Sequence, residues 1–497
     1  MNVLVSDAAK KLIDSRRIFW ALVFFEVVAL AVFYFGDAVM YSDPFFYVYF
    51  AGIIITPVLL LLTPVEPTIG LLLMLAATGL DFLGRIYEGS TSVGFNFTYF
   101  HVALLVTFVS TFLSLALKSR VTIRSIDLWP PLILYYFVLS YSLIYTPDFS
   151  QGSYIFVRIV VMGLISLIVL ESVDRLWKVR LFVWGLVLIP LGISILTLYQ
   201  MSSEGSFYSP NVSRMATSLG LQVYRSTGTF DNPNKLACFL FVGIIIPFGL
   251  LFERRQNLLT RFVLVGSLML SSIGILSTFS RAGWISVIAG LGFVVAMHRK
   301  WSFFAIFFGI LAVMTIFLSI KFPQLREVVL DRFTSIFSPS GDDSSSARIS
   351  LIKSGFWMWQ DHPLFGVGLR GFPKMYYNYV DPNMPHLLIY VNEPHTIQSE
   401  ILAEEGLIGL VVATWLFVTI FVHGFKTSFS LVNDYLRIVQ IAATSLYAAF
   451  IVNFTFATDM TNNTFWMIIG LIYALPFVDK ELQSERTEPA ESTTTAS

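Results

Sequence analysis

The feature that most constrains this chain is a succession of apolar runs of roughly 17 to 22 residues, the length at which an α-helix crosses about 30 Å of hydrocarbon. They begin near Ile18, Phe45, Pro67, Tyr99, Leu128, Tyr154, Val179, Leu236, Thr260, Ala282, Trp301, Leu402, Ile438 and Phe465. The run at Pro67 is the weakest, because Asp81 and Arg85 end it early. Composition agrees. With 56% hydrophobic and 13% charged residues over 497 positions, and a mean hydropathy of +0.74, too little polar surface is left to cover a soluble domain. The predicted fold class is an all-α polytopic membrane protein, with about 12–14 transmembrane helices and one large periplasmic or extracytoplasmic loop that contains short helices.

The formal net charge is zero, but the charges are unevenly placed. Alternate loops are basic: Lys10, Lys11, Arg16 and Arg17; Lys118, Arg120 and Arg124; Arg175, Lys178 and Arg180; Arg254, Arg255 and Arg261; then Arg299, Lys300, Lys426 and Arg437. The positive-inside rule makes these the cytoplasmic loops. The intervening set, which holds the long segments 200–234 and 321–399, then faces outwards, and both termini lie inside. No small-residue cleavage site follows the first apolar run, which reads as a retained span rather than a signal peptide. The predicted organisation is N-terminal transmembrane helices in 1–199, a first outer loop in 200–234, transmembrane helices in 235–320, a large extracytoplasmic loop in 321–401, C-terminal transmembrane helices in 402–479 and a disordered cytoplasmic tail in 480–497. That tail is rich in Glu, Ser and Thr and has little to bury.

Much chemistry is unsupported. No glycine-rich phosphate loop precedes a Lys-Ser or Lys-Thr pair, and no histidines are paired at helical spacing, so neither a cofactor nor a metal is expected. The basic loops read as anchors, with no nucleic-acid partner. A single cysteine, Cys238, excludes a disulfide framework and is assigned to packing. The Asn211-Val212-Ser213 sequon is a chance-level match.

Polar residues are costly near lipid and mark function where they gather. Four clusters stand out at the outer boundary. The first is 224–234, Tyr-Arg-Ser-Thr-Gly-Thr-Phe-Asp-Asn-Pro-Asn, and the second is Ser280-Arg281-Ala282-Gly283. The third runs from Arg348 to Asp361-His362-Pro363-Leu364-Phe365-Gly366-Val367-Gly368. The fourth is Glu393-Pro394-His395-Thr396 followed by Glu404-Glu405-Gly406-Leu407-Ile408-Gly409.

As a set, in this order, these clusters resemble the O-antigen ligase and O-antigen polymerase superfamily of bacterial cell-envelope glycosyltransferases. The resemblance rests on Arg225, Gly228-Thr229-Phe230 and Pro233-Asn234; on Ser280-Arg281; on Arg348 with the Pro-Leu-x-Gly-x-Gly turn at 363–368; and on His395, Glu404, Gly406 and Gly409. It covers roughly 224–409, while the first seven spans match in hydropathy alone. The chain departs at Thr396, where the family usually has Asn, and at Ser399, where an apolar residue is usual. The resemblance implies a glycan donor carried on a polyprenyl diphosphate lipid, an acceptor glycan or glycolipid, and a site at the outer face of the bacterial cytoplasmic membrane.

Such a reaction makes two demands. A departing lipid diphosphate gathers negative charge, which arginine meets with charge-assisted bidentate bonds; Arg225, Arg281 and Arg348 are the candidates. The attacking hydroxyl must lose a proton, and a histidine is the natural base near neutral pH; the candidate is His395. Glu404 and Asn234 are supporting residues. Plainer readings stand beside these. Arg281 can be an interfacial snorkelling residue, and Arg348 can pair with the acids that cap its helix. Phe356, Trp357 and Trp359 on a helix over 347–360 can be a surface anchor. His362 is a turn residue, and His386 has no motif around it. Gly366, Gly368, Gly406 and Gly409 serve backbone geometry and packing. Glu404 orients a side chain or ends a helix. Three functions remain open: a ligase, which the His395 to Gly409 spacing favours; a repeat-unit polymerase; and a transporter or flippase, which would need charges at mid-membrane depth.

Overall fold

The computed structural model describes residues 62–63, 66–81, 85–88, 96–117, 124, 126–202, 214–216, 222–321, 343–382, 393–457 and 459–487. The spans expected near Ile18 and Phe45, residue His386, and the last ten residues of the expected tail lie outside them. In chain order the elements are α1 (Pro67–Gly79), β1 (Arg85–Glu88), β2 (Asn96–Thr98), α2 (Tyr99–Leu117), α3 (Trp129–Ser142), α4 (Phe149–Ser172), α5 (Leu176–Ser202), β3 (Arg214–Ala216), β4 (Gln222–Tyr224), α6 (Pro233–Leu240), α7 (Val242–Leu250), α8 (Leu258–Ser277), α9 (Arg281–His298), α10 (Trp301–Lys321), α11 (Asp343–Asp361), α12 (Phe372–Met375), α13 (Ile397–Ser430), α14 (Asp434–Phe454) and α15 (Asn463–Thr487).

This is an all-α polytopic membrane protein. Hydrocarbon offers the backbone no partner, so apolar segments satisfy their own amides as helix. Among the described residues eight helices are long and apolar enough to cross a bilayer. The strands form only two short antiparallel hairpins, β1 with β2 and β3 with β4. The helix starts are written in the sequence as caps. Asp148, Asn232, Asn257, Ser280, Thr396 and Asn433 each accept a hydrogen bond from a backbone N–H in the first turn of α4, α6, α8, α9, α13 and α14. Pro233 at the first position of α6 adds a preset φ where no donor is needed.

Two helices depart from expectation. α11 starts at Asp343 and takes in the Asp-Ser run that reads as its cap. α15 continues to Thr487, beyond the expected tail boundary at 480. Its last turns are good helix formers, and the Gln483 amide donates to Asp479 at 2.8 Å.

The chain forms two compact units. In one, Met1–Met74 with Phe100–Val121, the Ser110 hydroxyl donates to the Thr63 carbonyl at 2.6 Å, and Gly70 abuts Thr107. The other, Leu75–Tyr99 with Thr122–Ser497, contains the functional site. In it the helices approach closely through small and hydroxylated residues, as lipid-embedded helices do. Gly249 faces Ala442 and Gly290 faces Ala449. Ser194 and Ser271 share a 2.8 Å hydrogen bond between α5 and α8, and the Ser166 hydroxyl donates to the Trp466 carbonyl at 2.6 Å between α4 and α15. Three ionic contacts lie at the helix ends away from His395: Arg124 beside Glu171, Lys178 with Asp174 at 2.8 Å, and Arg437 with Asp434.

Candidate functional site

Residues from seven parts of this second unit close around one cavity of about 370 Å³. Tyr135 of α3 and Arg158 of α4 line it, with Asn232, Asn234 and Lys235 at the start of α6, Arg348 of α11 and Arg370 just before α12. Glu393 and His395 lead into α13, which adds Glu400, Glu404 and Glu405, and Asp459 comes from the turn before α15. Of the residues marked from the sequence, the cavity gathers His395, Arg348, Asn234 and Glu404; Arg225 and Arg281 are not among its walls.

Arg225 is committed elsewhere. Its Nε donates to the Thr278 carbonyl at 2.8 Å and its Nη2 to Asn234 Oδ1 at 3.3 Å. Beside it the Ser226 N–H donates to the Ser277 carbonyl at 3.1 Å. A helix end leaves carbonyls without partners, and the 225–226 strand exit closes those of α8 while it fixes Asn234 in the cavity wall. Arg281 is the first residue of α9, between the Ser280 cap, whose hydroxyl accepts from the Gly283 N–H at 3.3 Å, and the span.

The centre of the construction is a break in α13. Gly406 has φ 69° and ψ −163°, a region open essentially to glycine alone. In an unbroken helix the N–H groups of Leu407 and Ile408 would donate to the carbonyls of Ala403 and Glu404. Instead they donate to Pro363 at 2.9 Å and Leu364 at 3.2 Å, while the Ala403 and Glu404 carbonyls accept from Val367 and Gly368, both at 2.9 Å. The 363–368 turn is thus spliced into the helix with every exchanged group paired. A Cβ on Gly366 would strike the Ala403 and Glu404 backbone, and one on Gly406 would strike Leu364. Gly366 and Gly368 also have positive φ, 69° and 98°. Two motifs forty residues apart are therefore two halves of one joint.

Glu404 secures the joint. Its side chain is buried, Oε2 accepts from the Arg370 N–H at 2.7 Å, and Oε1 accepts from the Phe372 N–H at 3.1 Å. It holds a loop backbone rather than orienting a side chain. The same loop is gripped from α3 and the turn after it: Leu369 donates to Ser142 Oγ at 2.6 Å, and the Thr146 hydroxyl donates to the Leu369 carbonyl at 2.7 Å. Leu351, Met358, Val367, Phe372, Tyr376 and Ala403 form a small core that holds α11 and α12 against α13.

His395 occupies the left-handed region at φ 61°, and so do Arg370 at 60° and Phe279 at 51°. Such conformations in non-glycine residues are uncommon and persist where the surroundings enforce them. Thr396 follows as the cap of α13, accepting from the Ser399 N–H at 3.2 Å; a threonine serves this role as an asparagine would. Ser399 faces Gly355 of α11, which explains a small residue there. The imidazole is exposed at the cavity. Desolvation by the surrounding walls, then the Arg348 guanidinium, lower its pKa from 6.5, with Glu393 opposing. The ring is thus neutral, and able to accept a proton, at neutral pH.

The sequence reading missed Arg158, Lys235, Arg370, Tyr135 and any role for Glu405. Arg158 carried a signal: it is an ionisable residue ten positions into an apolar helix, and its guanidinium lies 5.7 Å from the centre of the Tyr154 ring. Lys235 pairs with Asp231 at 3.1 Å, and Arg370 lies 4.0 Å from Glu400. These had no signal, because their position in the wall depends on the splice and on the α6 cap.

Residues 266–414 match the family described as O-antigen ligase. No curated protein matches the chain. Among solved structures, a chain from a peptidoglycan synthase complex described as coordinating polymerization and crosslinking is similar with a TM-score of 0.40 and 14% identity, over 71% of this chain and 97% of that one. At that likeness it carries no argument. The matched segment runs from within α8 to the middle of α13, through Ser280-Arg281, Arg348, the 363–368 turn, His395 and Glu404, and over it the chain is similar to the O-antigen ligase family.

Proposed function

We propose that this protein transfers a glycan from a polyprenyl diphosphate carrier to a hydroxyl of an acceptor glycan or glycolipid. The observation that carries the reading is that His395 and Arg348, read from the sequence as base and diphosphate ligand, line the same cavity. The neutral imidazole takes the proton of the acceptor hydroxyl. The hydroxyl oxygen bonds to the anomeric carbon, the bond from that carbon to the diphosphate oxygen breaks, and its electron pair leaves with the carrier. Arg348, joined by Arg158 and Arg370, stabilises the departing charge. Diphosphate leaves readily, so the reaction needs neither ATP nor a metal. Arg225 acts through Asn234, and Arg281 is assigned no substrate contact.

The cavity is placed at the outer face of the bacterial cytoplasmic membrane, with both termini inside. This follows from the positive-inside rule, because Arg124, Lys178 and Arg437 lie at the opposite helix ends. Within the superfamily the ligase is preferred to the polymerase on the spacing from His395 to Gly409. Replacing His395 with alanine is expected to leave an inserted, folded protein with transfer reduced at least 100-fold, on the order of what a positioned general base contributes; full activity would remove the assignment. Deleting the gene and resolving surface glycan on a gel separates the two reactions. Long chains that remain on the carrier, unattached, mean ligase, and single-repeat products mean polymerase.

A further inference from the structure

One group in the cavity has no part in the transfer just described. Glu405 is 4% exposed, and only one of its carboxylate oxygens is engaged: Oε1 accepts from the Tyr135 hydroxyl at 3.3 Å, while Oε2 is buried without a hydrogen-bond partner. A buried carboxylate oxygen left unpaired costs free energy, so its retention in the wall of a substrate cavity calls for a ligand.

The surroundings leave the side chain room. Gly409 lies one turn along α13, and a Cβ there would collide with the Glu405 side chain and come within 2.8 Å of Oε2. The second glycine of the 406–409 pair is therefore the space in which this carboxylate lies. The break at Gly406 adjoins it, so the helix cannot relax by shifting Glu405 alone.

We infer that Glu405 Oε2 accepts a hydrogen bond from a hydroxyl of the donor glycan and is a recognition residue for the sugar joined to the diphosphate. The inference rests on the transfer reading above, because a sugar attached to a diphosphate held by Arg348 must lie in this same cavity. A buried carboxyl oxygen that accepts from a sugar hydroxyl disfavours a substrate lacking that group by leaving a buried polar atom unpaired. The carrier and its diphosphate do not use it.

The full-length protein in lipid nanodiscs, titrated with undecaprenyl diphosphate and with the host's own lipid-linked glycan, tests this. Glu405→Gln keeps the shape of the side chain and replaces one of its two oxygens with an NH₂ donor. It is expected to bind undecaprenyl diphosphate within twofold of the wild type and the glycan-bearing lipid at least tenfold more weakly. Gly409→Ala, which retains the carboxylate but fills its space, is expected to show the same selective loss, and it decides the matter if Glu405→Gln does not fold. Unchanged affinity for the glycan-bearing lipid, or equal weakening toward both lipids, overturns the inference. Should the wild type fail to bind undecaprenyl diphosphate, the transfer reading falls. Glu405 is then judged on the oligosaccharide released from its carrier: weaker binding by Glu405→Gln upholds the recognition role, and equal binding overturns it.

Discussion

At the scale of single residues, the proposed site centres on a histidine whose proton affinity is lowered by desolvation and then by the Arg348 guanidinium. The sign of its pH dependence follows. The folded-state pKa of His395 lies below 6.5, through desolvation and then the Arg348 charge, so the base is unprotonated above that value and the acidic limb of kcat/KM lies below pH 6.5. Arg348→Gln removes one lowering influence and is expected to move that limb to higher pH, while transfer falls about 100-fold or more through loss of diphosphate stabilisation. A profile measured from pH 5 to 8 checks both; a limb that stays in place would separate Arg348 from His395. His395, Arg348 and Asn234, which line one cavity, could be marked from the sequence because each belongs to a short cluster with recognisable chemistry. The bond of Arg225 to the Thr278 carbonyl was not legible, because that carbonyl is open to it only once α8 has ended there. Arg370 was not legible, since it enters the wall only because Glu404 holds its backbone amide.

At the scale of elements, helix positions could be read from apolar length and from Asp, Asn, Ser and Thr caps, because lipid leaves the backbone no alternative to helix. The break in α13 could not. The glycines predicted special geometry at 366, 368, 406 and 409, but which turn entered which helix is a pairing between residues forty positions apart, and no local propensity encodes it. Gly406→Ala is expected to destabilise the protein by about 1–3 kcal/mol from backbone strain alone, and further from the clash with Leu364. Gly366→Ala is expected to do the same, since it meets the same joint from the other side. Melting in detergent, followed by size-exclusion fluorescence, reads both. Glu404→Gln keeps one accepting oxygen, but its NH₂ end faces the Arg370 or Phe372 N–H, and the buried donor left unpaired costs about 1–3 kcal/mol. Its melting temperature should fall while His395→Ala leaves that temperature unchanged.

At the scale of the whole molecule, the cavity and the basic helix ends lie at opposite ends of the helices, and this fixes a topological prediction. A cysteine in place of exposed Tyr377 is expected to react with an impermeant maleimide in intact spheroplasts, and one in place of Arg255 is not; native Cys238 is buried and stays silent. Reaction at Arg255 alone would invert the orientation. The splice in α13 also bears on how such a chain is made. Residues 363–368 are synthesised before 403–408, so the donors and acceptors that the broken helix lacks already exist when its two segments enter the bilayer. The order of translation thus spares the nascent span an interval with four bare polar groups near lipid, and reversing that order by circular permutation between 368 and 403 would impose one.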